Sequence, residues 1–490
     1  MLFNSHEFIF LFCPVVFAVF YIVAARSFRA ALAWLVGASL FFYAWWNPPY
    51  LLLLVGSVLF NYFAGLLLNR ATQRRKPTLG IAVSANLLLL GYFKYTNFLI
   101  GTWNAFSGST LPFFDILLPL AISFHTFQQI AYLVDTYRGE TGHYRFLDYL
   151  FFVVFFPQLI AGPIVRHDEI IPQISERRRW HPDPASIALG VTIFSFGLFK
   201  KVVLADYVAI PADAVFAAAT TQPLGFYQAW LGALAYALQI YFDFSAYSDM
   251  AVGLALLAGI RFPLNFFSPY QATSIVEFWR RWHMTLSRFL LHYLYIPLGG
   301  NRHGRARRYL NLTATMLLGG LWHGVAWTFV VWGGLHGAYL AINHAWRGTR
   351  LAAAWADRRP WRAASLALTF VAVCIAWVFF RAPDFGTAAK LLEAMAGLNG
   401  LRGAGALPLA KAHTWAVLGG LVIVFWMPNV YVLMERFRPV LTDLASLRHA
   451  VVPPWAGWRP AGAWAIVGAG AFCAAALLIN KESPFLYFQF

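Results

Sequence analysis

Charge is the scarcest commodity in this chain. Only 12% of its 490 residues are Asp, Glu, Lys or Arg, against about a quarter in an average soluble domain. That shortage excludes a water-exposed globular surface. The 60% hydrophobic content comes in repeated apolar runs of about twenty residues, the length with which a helix crosses the hydrocarbon layer. Short alternating segments, which a membrane β-barrel needs, are missing. The expected fold class is therefore an all-α polytopic membrane protein with about 11 to 13 membrane segments, some broken or re-entrant.

Acidic residues are scarcer than basic ones: 20 Asp and Glu stand against 37 Lys and Arg, a formal charge of +17. Because the basic residues sit in loops between apolar runs, the excess reads as the positive-inside bias with attraction to anionic headgroups, not as nucleic-acid binding. Cysteine is nearly absent. Cys13, Cys374 and Cys473 lie inside apolar runs without CxxC spacing, which excludes a disulfide framework, and no His/Cys/Asp set has a metal-ligand spacing such as HExxH. No metal is expected. The N-terminus lacks a positively charged region, so its first apolar run reads as a retained span and not a cleaved signal. Internal repeats, long linkers and a separate soluble domain are also missing, and residues 1–490 read as one membrane-embedded domain.

The apolar runs fall at 8–25, 28–46, 49–68, 78–99, 112–137, 186–205, 226–260, 309–326, 328–346, 363–380, 413–434 and 462–479. The run 226–260 is too long for one perpendicular span and reads as tilted, kinked or doubled. Arg26 and Arg29 follow the first run and Arg70, Arg74, Arg75 and Lys76 the third, whereas Asn47-Pro48-Pro49 follows the second. This alternation puts the N-terminus outside and the basic loops in the cytoplasm. The run 146–165 precedes Arg166 and Arg177-Arg178-Arg179 and contains Pro157, Gly162 and Pro163, so a broken or re-entrant segment is expected there. The short run 284–300 reads similarly.

Two histidines stand out. His283 closes Phe278-Trp279-Arg280-Arg281-Trp282-His283; His323 lies in Leu321-Trp322-His323-Gly324, inside an almost uncharged stretch from 309 to 346. Arg307 and Arg308 mark the cytoplasmic edge of the helix carrying His323, which places its imidazole roughly 22 Å inward at about 1.5 Å per residue. A neutral histidine at that depth can act as a general base toward a hydroxyl arriving from the opposite side. The alternative is a pair of hydrogen-bonded structural histidines. Gln239, Asp243 and Tyr247 share a helical face within the apolar run, with Asp249 on another, and these carboxylates call for a water-lined passage or a basic partner such as Arg281 or Lys201. His125, Gln128, Gln129 and Asp135 form a less specific polar set, and His336 and His344 read as packing or interfacial residues. Trp45-Trp46 and Trp279/Trp282 fit interfacial aromatic belts.

Taken together, several strings resemble the membrane-bound O-acyltransferase family, in its alginate O-acetyltransferase-like branch. They are Phe155-Phe156-Pro157-Gln158-Leu159-Ile160-Ala161-Gly162-Pro163-Ile164, Gly197-Leu198-Phe199-Lys200-Lys201, Tyr241-Phe242-Asp243-Phe244-Ser245-Ala246-Tyr247-Ser248-Asp249, Glu277 with the string ending in His283, Tyr295-Ile296-Pro297-Leu298-Gly299-Gly300-Asn301-Arg302, Gly319-Gly320-Leu321-Trp322-His323-Gly324 and Trp332-Gly333-Gly334-Leu335-His336-Gly337. The resemblance implies a multi-helix fold around a central funnel, His323 as the catalytic histidine and His283 as a second active-site residue. Asp243, Tyr247, Arg281, Trp282, Trp322 and Arg302 become candidate substrate-binding residues. Where the family pattern has Arg-Asp before Tyr-Leu-Tyr-Ile-Pro, this chain has Leu291 and His292.

The implied chemistry is acetyl transfer from cytoplasmic acetyl-CoA, a substrate and not a resident cofactor, with its phosphates near Arg302, Arg305, Arg307 and Arg308. His323 takes the proton of the acceptor hydroxyl; His283 orients the reactants or stabilises the oxyanion. The expected partners are the lipid bilayer of a bacterial inner membrane, a polysaccharide acceptor as in alginate or other exopolysaccharide acetylation, and a separate extracytoplasmic acetyltransferase or carrier. Transfer of another acyl group to a cell-envelope polymer, a transporter and a non-catalytic scaffold are the competing readings.

Overall fold

A computed structural model describes the chain except residues 71–72, 176–181, 356–357, 402–406, 408, 448–452, 480–482 and 487–490. The Arg177-Arg178-Arg179 cluster lies outside the described residues. Among those described, regular structure is entirely helical. The first half contains α1 (Cys13–Ala24), α2 (Phe28–Ala44), α3 (Pro48–Arg70), α4 (Arg75–Ser107), α5 (Ile122–Arg138), α6 (Phe146–Val154), α7 (Phe156–Leu159), α8 (His167–Ser175), α9 (Pro184–Phe199) and α10 (Asp206–Thr221). Then follow α11 (Phe226–Leu257), α12 (Ile275–Trp279), α13 (Met284–Leu290), α14 (Gly304–His323), α15 (Trp327–Arg347), α16 (Arg350–Trp355), α17 (Arg359–Arg381), α18 (Phe385–Met395), α19 (Lys411–Trp426), α20 (Val430–Leu433) and α21 (Gly462–Leu478). Five described runs are long and apolar enough to cross a bilayer alone: Glu7–Ala24, Pro48–Arg70, Arg75–Ser107, Pro184–Thr221 and Arg359–Arg381. The protein is an all-α polytopic membrane protein.

Two apolar runs and one tryptophan pair differ from the sequence expectations. The helix expected over 112–137 starts only at Ile122. Pro112 and Pro119 disfavour helix in the residues before them, and two asparagines of α4 pair with the extended backbone instead. Asn104 bonds both N–H and C=O of Leu111 at 3.0 and 2.9 Å, and Asn97 both groups of Phe114 at 2.9 and 2.8 Å. The span 186–205 continues through a π-helical turn, Lys200–Ala205, into α10. The run 226–260 is one continuous helix, α11, buried along nearly all its length. Trp279 and Trp282 are 8% and 2% exposed, so they are core residues and not an interfacial belt; Trp45 and Trp46, at 55% and 37%, are on the surface.

The run 146–165 is broken at Phe155, between α6 and α7, and is buried from Phe151 onward. Its irregular backbone needs internal partners in a membrane: Ser39 Oγ accepts from the Phe156 N–H and Thr285 Oγ1 from the Ile164 N–H, each at 3.0 Å. Helices α14 and α15 pack backbone to backbone. A Cβ on Gly320 would lie 2.2 Å from Phe329 O, and one on Gly333 2.2 Å from Met316 O, so only glycine permits this approach.

Candidate functional site

His323 is the last residue of α14, at the tip of the α14–α15 hairpin. The helix stops because Gly324 and Ala326 adopt extended backbone before α15 begins at Trp327. The imidazole is 5% exposed and packed by rings, with centroids at 4.9 Å (Trp322), 5.2 Å (Trp332) and 5.4 Å (Phe380).

His283 is fully buried and precedes α13 with a left-handed backbone, φ +41°. A non-glycine residue held there is strained, and the surroundings fix it closely. Its Nδ1 lies 3.1 Å from Asn265 Oδ1, which also accepts from Thr285 Oγ1 at 2.9 Å, while Asn265 Nδ2 donates to Ser248 Oγ at 3.0 Å. This network assigns the proton to Nδ1 and leaves Nε2 an acceptor; Nε2 has no hydrogen-bond partner among the described residues. Phe244 stands edge-on to the ring at 4.7 Å, and the His283 and His323 centroids are 6.3 Å apart.

A cavity of about 20 Å³ beside His323 is lined by Asp243, Phe244, Trp282, Trp377, Phe380 and Leu486 among others, room for one water molecule. A vestibule of about 790 Å³ lies on the side of the N-terminus and of Trp45 and Trp46, with Lys94, Ile160 and Pro484 in its wall. On the side of Arg347 and Arg362, a cavity of about 560 Å³ runs along α15 and α17 to Tyr339, whose ring is 5.8 Å from that of His336.

The residues singled out in the sequence divide into those at the two histidines and those elsewhere. Asp243 and Trp282 line the small cavity, and Trp322 neighbours both imidazoles at 4.9 and 6.3 Å. Of the two basic partners considered for the carboxylates, Lys201 is the one that reaches Asp243, at 2.7 Å; Lys200 pairs with Asp249. The π-helical turn carrying both lysines aims them at successive faces of α11. Arg281 bonds Glu277 at 3.0 Å and the carbonyls of Phe267 and Leu447 at 3.4 and 3.1 Å, so its donors are engaged within the protein. Tyr247 packs between Phe3 (4.8 Å) and Phe485 (4.9 Å). Arg302 is exposed in the loop before α14.

Asp135 belongs to a different cluster, with His167, Arg166 and Tyr293 at 3.1, 3.0 and 2.5 Å. His125 bonds Gln129 at 3.2 Å, His336 accepts from Trp279 Nε1 at 3.2 Å, and His344 meets Arg308 at 2.8 Å. Leu291 is 43% exposed, and the backbone oxygen of His292 accepts from Arg138 at 3.4 Å.

Three contributors escaped the sequence reading. Asn265 orients His283 from a stretch with no periodic signal. Residues 483–486 fold back into the core, where the Leu486 N–H donates to Asp243 Oδ2 at 2.9 Å and Ser483 Oγ bonds Lys201 at 3.1 Å. Lys94, a charge inside the apolar run 78–99, was visible as an anomaly in the sequence; it reaches the backbone of His323.

The model of the MBOAT, membrane-bound O-acyltransferase, family matches residues 136–382, a span holding both histidines, Asp243 and Tyr247. A peptidoglycan O-acetyltransferase of Helicobacter pylori is 47% identical over 82% of this chain and 81% of its own length. A probable alginate O-acetylase of Azotobacter vinelandii is 40% identical over the full length of both. A teichoic acid D-alanyltransferase of Streptococcus thermophilus is 30% identical over 46% of this chain and 57% of its own. With the family model and the long relatives in agreement on a chain of this fold, the protein belongs to the membrane-bound O-acyltransferase family and is an O-acyltransferase.

Proposed function

We propose that this protein is a membrane O-acetyltransferase of a bacterial inner membrane, serving O-acetylation of a cell-envelope or extracellular polysaccharide. The observation that carries the mechanism is the close approach of the buried His283 and His323, ring centroids 6.3 Å apart, with cavities toward either side of the protein. The acetyl class is supported by the two long relatives, whose names both specify acetyl transfer to a polysaccharide.

Acetyl-CoA presents its thioester from the side of the basic loops, where Arg302, Arg305 and Arg307 are exposed to its phosphates. His323 accepts the proton of the acceptor hydroxyl while the oxygen attacks the thioester carbonyl carbon. The C–S bond then breaks, and the CoA thiolate leaves and is protonated. His283, through the Nε2 that its Asn265 bond leaves free, orients the reactants. The acceptor reaches His323 from the vestibule side, and a separate extracytoplasmic acetyltransferase or carrier passes the acetyl group to the glycan.

Turnover of labelled acetyl-CoA by detergent-purified protein, wild type beside His323→Ala with folding verified for both, tests this reading. Transfer lost only in the variant is the expected result. Equal turnover would place the base elsewhere, and turnover with an activated D-alanyl donor but not acetyl-CoA would move the protein to the other acyl class.

A further inference from the structure

A helix leaves its last four carbonyls without helical partners, and α14 does so beside the candidate catalytic residue. Gly324 N–H closes on Gly320 O at 3.4 Å. The other three carbonyls are satisfied by consecutive residues of α4. Tyr95 Oη donates to Leu321 O at 2.9 Å, and Lys94 Nζ donates to Trp322 O and, at 3.2 Å, to His323 O. Lys94 is 7% exposed, with its ammonium 5.9 Å from the Trp322 ring centre. Among the described residues its partners are thus two carbonyls and a ring. A cation at membrane depth is costly; the negative end of the α14 dipole compensates it here.

We infer that Lys94, assisted by Tyr95, is a positioning residue: an inter-helix cap that fixes where α14 ends and hence where the His323 imidazole points. The inference rests on the reading of His323 as the base. The backbone turns extended immediately after His323, so the last helical turn has no following helical residues to hold it. One of the two carbonyls that Lys94 grips belongs to His323 itself, and the imidazole hangs from the same residue. Two consecutive side chains of α4, making three hydrogen bonds, therefore do in trans what a C-capping glycine does locally. Lys94 also lines the 790 Å³ vestibule, which makes its position reachable by a small reagent.

The test uses full-length Lys94→Cys with kcat and KM for acetyl-CoA measured on folded protein. 2-Aminoethyl methanethiosulfonate restores an ammonium near its original place; methyl methanethiosulfonate adds a neutral group; wild type treated alike gives the baseline for the native cysteines. Misplacement of a reacting group lowers kcat by about a hundredfold, and that loss is expected in Lys94→Cys with donor KM unchanged. Aminoethylation should recover most of it and methylation none. Wild-type kcat in Lys94→Cys, or equal recovery by the neutral reagent, would overturn the inference. If Lys94→Cys does not fold, Lys94→Arg is read instead: lowered kcat at unchanged donor KM supports the role, and wild-type parameters overturn it. His323→Ala measured alongside separates the two claims. Turnover surviving there overturns the functional reading and this inference together, whereas an inactive His323→Ala beside an unimpaired Lys94→Cys overturns this inference alone.

Discussion

Asn265 holds His283 by its Nδ1, 3.1 Å away, and leaves the opposite nitrogen without a hydrogen-bond partner among the described residues, in a ring 6.3 Å from that of His323. The second histidine is aimed by a side chain 18 residues upstream that belongs to no regular element. The same amide oxygen binds Thr285, whose hydroxyl in turn accepts from the broken segment at Ile164. His283 and the re-entrant backbone thus share one polar network.

Replacing Asn265 with Leu should free the His283 ring and strand the Thr285 hydroxyl. Leaving such buried groups unsatisfied costs about 1–3 kcal/mol. We expect a lower melting temperature and a lower kcat, with activity falling less than in His323→Ala. Wild-type kcat in Asn265→Leu would show that His283 orientation does not limit turnover.

The Lys201–Asp243 pair is buried on both sides, each side chain 2% exposed. Lys201→Met leaves the carboxylates of Asp243 and of Asp206, the latter 2.8 Å from the same ammonium, without their cation and is expected to cost about 3–5 kcal/mol, while the double variant Lys201→Met/Asp243→Leu should recover part of the loss. Thermal unfolding in detergent reads both. A double variant no more stable than the single one would contradict the pairing.

The contact between α14 and α15 leaves no room for a side chain at Gly320 or Gly333. Gly333→Ala is expected to destabilise by about 1–3 kcal/mol as the helices separate and to reduce transfer by moving His323. Gly80→Ala, where no atom lies within 4 Å, serves as the neutral comparison. Equal melting temperatures for the two variants would refute the close approach.

Sidedness is open to direct labelling. Ser109→Cys lies in the extended segment before α5, and His303→Cys in the basic loop before α14. A membrane-impermeant maleimide should modify the first in intact cells and the second only after permeabilisation, above the background of the native chain. The opposite pattern would invert the side from which the donor enters.

Much of this molecule is legible in its composition. Hydrophobicity adds residue by residue, so runs such as 28–46, 49–68 and 363–380 announce α2, α3 and α17 closely. Several readings that depended on neighbours failed, although Lys201 does meet Asp243. Residues 112–121 are apolar enough for a span, yet prolines and the side chains of Asn97 and Asn104 keep them extended. The run 186–205 reads as ending at residue 205, but a π-helical turn there carries the helix on into α10. Trp279 and Trp282 have the composition of an interface belt and lie in the core.

The sequence by itself determined the solvent, the helical class and the residues with chemical capacity, because burial tendency and motif identity are local properties. It named His323, His283 and Asp243. Only the tertiary structure decided what each of them touches: Asn265 for His283, Lys94 for the backbone of His323, Lys201 and the chain's last described residues for Asp243. Those pairings depend on how far one helix stands from the next. That spacing is set by backbone contacts such as Gly333 against Met316 and by the places where helices stop, which no single run of residues encodes.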